Sequence, residues 1–324
     1  MLTTRLTDRF GLSVPVALAP MDTFADGRLA ATVTRAGGLG VIGAGYRDAE
    51  WLDAQFAAAA DAPVGVGFIG WRLAEQPHLL DVALAHSPAV VIVSFGDPAP
   101  SAAPIRAAGV PLMVQLNDLD EARRAIDLGA QGIIAQGGEA GGHGKGVRST
   151  FTLVPEVADL VADRAPETLL LASGGIADGR GLAAALALGA DGALVGSRLW
   201  ATREAPVAPA ARQRVLAARS DDTVRTGVFD IVRGFHWPAG YTGRTLRNDF
   251  VRRWLGREDI LRAELDEAQR DYQSAVTAAD FDVAAIHIGE DVGLIDDIPG
   301  TAEVLAAMSR DAATILHRLS GSAN

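Results

Sequence analysis

The stretch LLLASGGIADGRGLAAALALGADGALVGS, residues 169–197, decides the architecture. Leu169 to Ser173 is a short apolar run without alternation, the pattern of a strand buried on both faces. Gly174 and Gly175 end it. Asp178 then stands where a helix N-cap belongs, and Gly179 to Leu188 continues in alanine and leucine. Gly189 follows where a left-handed C-terminal residue is wanted, and Ala193 to Gly196 is a second apolar run. Strand, helix and strand in so short a span make a parallel βαβ unit.

The same texture repeats outward from this unit. Val16 to Ala19, Leu39 to Gly43, Val64 to Ile69, Val90 to Phe95, Leu112 to Leu116 and Gly132 to Gln136 are further apolar runs. Asp26 to Ala36, Trp51 to Ala60 and Leu119 to Leu128 read as helices between them. Eight strands point to an α/β fold of the closed (β/α)8 TIM barrel type, although a doubly wound open sheet shares the local pattern.

After Trp200 strand-like runs cease, Pro206 and Pro209 interrupt, and the charged segment 203–281 is in helical phasing. Arg244, Arg247, Arg252, Arg253 and Arg257 read there as a solvated helix face balanced by Asp249 and Glu258. Ala302 to Leu319 is amphipathic and suited to pack on a barrel. The expected organisation is a barrel of residues 1–203 and 286–324, with 204–285 a smaller, mainly helical lid inserted after strand eight.

Of 324 residues, 49% are hydrophobic and 21% charged, ordinary values for a globular chain and foreign to disorder or collagen. The net charge of -11 repels nucleic acid and anionic membranes. With no cysteine there are no disulfides, thiolate zinc sites or cysteine nucleophiles, and a cytoplasmic setting fits. No apolar stretch is long enough to span a membrane.

Gly38 to Gly43 satisfies G-x-G-x-x-G but lies within a predicted strand, where a dinucleotide fingerprint has no function. Gly144-Lys145-Gly146 lacks the Ser or Thr of a P-loop. The segment Gln136 to Gly146, with six glycines in eleven residues, directly follows the sixth strand. On a barrel that is the catalytic face. Such a loop is either closely approached by something or free to move, and His143 within it is either functional or incidental. Ser173-Gly174-Gly175 and Leu194-Val195-Gly196-Ser197 end strands seven and eight, where barrels build phosphate sites from backbone N–H groups. Two tight turns would read the same way. The remaining histidines form no metal-binding spacing, and no metal is expected. His236-Trp237-Pro238 is placed to line the mouth of a barrel site.

Pro20-Met21, Ala36 to Gly40, Gln136 to His143, Ser173 to Ile176, Gly196-Ser197-Arg198 and Gly293-Leu294-Ile295 together resemble the nitronate monooxygenase family, formerly the 2-nitropropane dioxygenases. The resemblance covers nearly the whole chain. It implies a metal-free FMN oxidoreductase that acts on a small nitronate or nitroalkane with O₂ and leaves a homodimer open. It makes His143 the base and assigns Gln136, Gly141, Gly174, Gly175, Leu194, Val195, Gly196 and Ser197 to FMN, with Pro20 and Met21 by the flavin ring. The family usually has Asn where Gly67 stands at the flavin, and Gly where Asp22 and Thr23 follow Met21. Asp22 then reads as a solvated loop carboxylate or, failing that, a second acid–base group. Relatives with the same barrel motifs give a second reading, an NAD(P)H-dependent FMN reductase of quinones or enoyl thioesters. A non-catalytic flavin- or phosphate-binding protein is the third.

Overall fold

A computed structural model describes residues 2–321. Among them the strands are β1 Val16–Leu18, β2 Val41–Gly43, β3 Gly65–Ile69, β4 Val91–Ser94, β5 Leu112–Leu116, β6 Gly132–Gln136, β7 Gly142–Gly144, β8 Leu169–Ser173, β9 Gly192–Val195, β10 Thr223–Thr226 and β11 Thr242–Leu246. Eight of these form one parallel sheet in the order β1-β9-β8-β6-β5-β4-β3-β2. Ala17 pairs with Leu39, and the Leu18 N–H donates to the Leu39 carbonyl at 2.9 Å, so the ring closes as a (β/α)8 barrel. The eight apolar runs are the eight barrel strands: β5, β6 and β8 have the expected bounds, and the other five are shifted or trimmed by a residue or two at their ends.

Side chains alternate along each strand. Val91 and Val93 pack outward under the helices, whereas Ile92, Met113, Ile134, Leu171 and Leu194 fill the interior with Leu6 of the N-terminal helix. Four of the barrel helices start with the same device. Asp26, Asp48, Asp118 and Asp178 each accept a backbone N–H of the first turn, at 2.8 to 2.9 Å. Each such cap contributes about 1 kcal/mol and fixes where the strand-to-helix loop ends. Gly40 packs directly against Ala30 of the helix Gly27–Arg35, which explains the glycines of the discounted G-x-G-x-x-G.

The helix Thr301–Gly321 packs on Gly179–Ala187 and on Gly27–Arg35, the place of the barrel's eighth helix. The chain between β9 and this helix is mostly helical and has its own apolar cluster around Phe229, Phe250, Trp254 and Tyr272. The expectation that strands cease after Trp200 fails here. β10 and β11 pair antiparallel, and β11 pairs in turn with β7 of the glycine-rich loop. Their threonines and arginines show no apolar run; of the two strands only Val224 and Leu246 join hydrophobic clusters.

Candidate active site

A cavity of about 1270 Å³, counting its open mouth, lies at the C-terminal ends of the strands. Its wall includes Pro20, Met21, Gly67, Gln136, Gly141 and His143, and also Gly174, Gly175, Leu194, Gly196 and Ser197. Val195 is the exception among the expected residues. Strand alternation turns its side chain outward into the layer beneath the helices.

His143 sits on β7, opposite Gly243 of β11. Its Nε2 is 2.9 Å from Asp230 Oδ1 and 3.1 Å from Oδ2, and both side chains are buried. One face of the imidazole lies flat on Trp237, ring centroids 3.7 Å apart. The Trp237 indole donates to the Tyr46 hydroxyl at 3.0 Å and meets Trp71 and Phe95 edge-on. The segment carrying Trp237 is thereby fastened to the residues that follow β2, β3 and β4. His287 approaches His143 at 5.7 Å between centroids, and burial, with His143 and Arg233 nearby, holds it well below the ordinary imidazole range. It is kept neutral.

The glycine-rich loop is clamped. Arg244 donates through Nε and Nη2 to the Gly138 carbonyl at 3.0 and 2.9 Å and pairs with Glu290. Arg225 donates to the carbonyls of Gly144 and Thr242 at 2.6 and 2.7 Å. Arg244 is therefore a strand residue largely buried against the loop, not part of a solvated helix face. Arg252 and Arg253 do lie exposed on a helix. Gly141 has no room for a side chain because the backbone of Ile288 and Gly289 presses on it. Gln136 spends its amide within the protein. Its Nε2 donates to the His143 carbonyl at 3.0 Å, and its Oε1 accepts from Asn117 at 3.0 Å.

Gly174 and Gly175 have φ of 106° and 74°, a backbone that glycine adopts without strain and that leaves their peptide groups open to close approach. Beside them Ser197 Oγ accepts the Gly289 N–H at 3.0 Å. Burial pushes the neighbouring Asp291 carboxyl up to about 6, against the opposing pull of its hydrogen bond with Ser197. Asp22 is half-buried and ion-paired, so it is not a freely solvated loop carboxylate. Arg47 binds it through Nε at 3.0 Å and Nη2 at 2.8 Å, and Asp22 holds a left-handed φ of 49°. The Pro20 ring occupies the space a side chain at Gly67 would need.

Several residues in or behind the cavity wall carried no sequence signal of their own. Asp230, His287 and Tyr46 are isolated letters in unremarkable contexts. Ser94 at the end of β4 buries a hydroxyl with no partner, and Gln115 at the end of β5 lines the cavity without a hydrogen bond inside the protein. Their place at strand ends was the only available signal. Arg233 also lines the cavity, flanked by the rings of Phe235 and Tyr46.

So built, the cavity belongs to a barrel enzyme that works on a small molecule at the C-terminal ends of its strands. The nitronate monooxygenase family model matches residues 69–311, and the chain belongs to that family. It is an oxidoreductase, which removes the reading as a non-catalytic binding protein. Nitronate monooxygenase of Neurospora crassa is 31% identical over 91% of this chain and 88% of that protein. A Rhodococcus jostii protein named (3aS,4S,5R,7aS)-5-hydroxy-7a-methyl-1-oxo-octahydro-1H-indene-4-carboxyl-CoA dehydrogenase is 34% identical over 77% of this chain and 67% of that protein. Among solved structures, FabK from Thermotoga maritima superposes with a TM-score of 0.87 at 30% identity, covering 99% of this chain and 100% of that one. Among the described residues no helix is long and apolar enough to cross a membrane, and no group of three or more His, Cys, Asp and Glu side chains is arranged to hold a metal ion.

Proposed function

We propose that this enzyme uses FMN to oxidise an alkyl nitronate, or a nitroalkane that His143 first deprotonates, with O₂ to a carbonyl compound and nitrite. Residues 1–203 and 286–324 are the barrel that holds the cofactor, and 204–285 the lid. The observation that carries this reading is one cavity shared by His143 and the turns at Gly174, Gly175 and Gly196.

The residues suit FMN. Open peptide groups at positive φ accept a phosphate, and the unpaired Ser94 hydroxyl and free Gln115 amide offer hydrogen bonds to a polar heteroaromatic ring. Bound there, the flavin supplies the electron chemistry. The protein's own part is proton transfer and placement. An imidazole accepts protons near neutral pH, as removal of a proton beside a nitro group requires. Trp237 screens one face of that imidazole, and the Arg233 charge at the cavity wall favours an anionic nitronate.

An absorption spectrum, followed by anaerobic mixing with propionate 3-nitronate and separately with NADPH, tests the proposal. Bleaching of bound FMN by the nitronate is expected. Recovery of FAD, or of no flavin after reconstitution, would sink it. Bleaching by NADPH alone would favour a reductase of quinones or enoyl thioesters, a reading supported by the similarity to the CoA-thioester dehydrogenase.

A further inference from the structure

We infer that Asp230, from the inserted segment, is the positioning residue for His143. It holds the ring as the Nε2–H tautomer, so that Nδ1 is the atom that accepts the substrate proton. This rests on the reading of His143 as the base.

The contact itself fixes the proton. An ionised carboxylate has no hydrogen to give, so a close Nε2 to carboxylate contact at 2.9 and 3.1 Å requires the hydrogen on nitrogen. In the neutral ring the lone pair then lies on Nδ1. That atom makes no hydrogen bond with the protein, and the imidazole lines the cavity. Ring rotation that would exchange the two nitrogens is opposed by the stacked indole. Trp237 lies flat against one face, within 4° of parallel. The backbone is held by β11 and by the Gln136 amide on the His143 carbonyl.

The charges around the ring agree with this assignment. His287, the other imidazole within reach, is held neutral and does not compete for the carboxylate. Arg233, three residues after Asp230 on the same helix, forms no ion pair with it and lies against Phe235 and Tyr46 instead. Asp22 is occupied by Arg47. Asp230 is thus left to His143, and when Nδ1 takes a proton the carboxylate faces the imidazolium it stabilises.

Histidine-¹⁵N-labelled holoenzyme tests the tautomer without turnover, with the signals assigned by loss in His143→Gln. A proton on Nε2 and none on Nδ1, with a hydrogen-bonded N–H resonance that disappears in Asp230→Ala, is expected. A proton on Nδ1 overturns the inference. Stopped-flow reduction of the flavin adds the kinetic arm. Asp230→Ala should slow reduction by nitroethane about 10- to 100-fold, while apparent substrate affinity and the rate with preformed ethylnitronate stay within about threefold. Equal losses on both substrates, or none, overturn it. Asp230→Asn, of the same volume, replaces the alanine variant if that fails to bind flavin. An undiminished nitroethane rate in His143→Gln refutes the base reading instead, and the labelled spectra still decide the pairing.

Discussion

Trp237 lies face to face with His143, ring centroids 3.7 Å apart, although the two residues come from different parts of the fold, the segment before β11 and the glycine-rich loop after β6. The same indole reaches Tyr46, Trp71 and Phe95. One side chain therefore joins the imidazole to the residues that follow β2, β3 and β4.

Trp237→Leu is expected to lower kcat/KM for a nitroalkane about 10- to 100-fold, since small misplacements of a reacting group cost that much. Trp237→Phe keeps an aromatic face and loses only the hydrogen bond to Tyr46, about 1 kcal/mol, and should fall in between. Steady-state nitrite release measures both. Indistinguishable rates for wild type and Trp237→Leu would separate the lid from the chemistry.

Gly67→Asn, which restores the residue usual in the family, should destabilise this chain by about 1–3 kcal/mol through collision with the Pro20 ring. In combination with Pro20→Gly the cost should be less than the sum of the two single changes. Urea unfolding of the four proteins gives the coupling, and simple additivity would refute the collision.

Gly196→Val should fold and yet lose flavin. A Cβ there meets only Met21 and Ala19 at ordinary distances, 3.5 and 3.6 Å, and so projects into the cavity without clashing. At Gly175 a Cβ also has room, but the φ of 74° strains it, so Gly175→Val should lose both flavin and stability. Flavin content after gel filtration and thermal midpoints of the flavin-free proteins distinguish the two. Full flavin occupancy in Gly196→Val would place the phosphate elsewhere.

Asp291 supplies a pH signature. Its carboxyl is pushed by burial up to about 6, from an ordinary value of 3.8, so between these limits the folded protein holds the proton more tightly than the unfolded chain. Its contribution to stability is complete below the lower limit and is lost as pH rises through the upper one, a loss of about 2–3 kcal/mol. Asp291→Asn should therefore stabilise the flavin-free protein most at about pH 8, with the advantage shrinking toward about pH 4. Urea midpoints across that range check it. An advantage independent of pH would mean that the carboxyl is not buried in its neutral form.

The barrel was legible because its signals are local. A strand buried on both faces is an unbroken apolar run, and Asp178 announces its helix within three residues. From the strand order alone, the loops holding Pro20, Gly67, His143, Gly175 and Gly196 had to converge at one end. What no local pattern contained is the set of partners around His143. Asp230 and His287 are remote from it in the chain, and their neighbouring residues do not distinguish them from surface or core positions; Trp237 was legible as a residue of the cavity mouth, where it lies, but nothing local set it on the imidazole. Arg244 and Asp22 were misread for the same reason: whether a charged side chain is solvated depends on which other segment returns to cover it. Here Gly138 and Glu290 meet Arg244, and Arg47 closes over Asp22. Periodicity and caps encode burial and direction over a few residues, so the sequence determined the scaffold and the end of it that carries the site. Contacts between segments far apart in the chain arise only when the backbone brings them together, so the tertiary structure alone decided the carboxylate beneath the histidine and the tryptophan on its face.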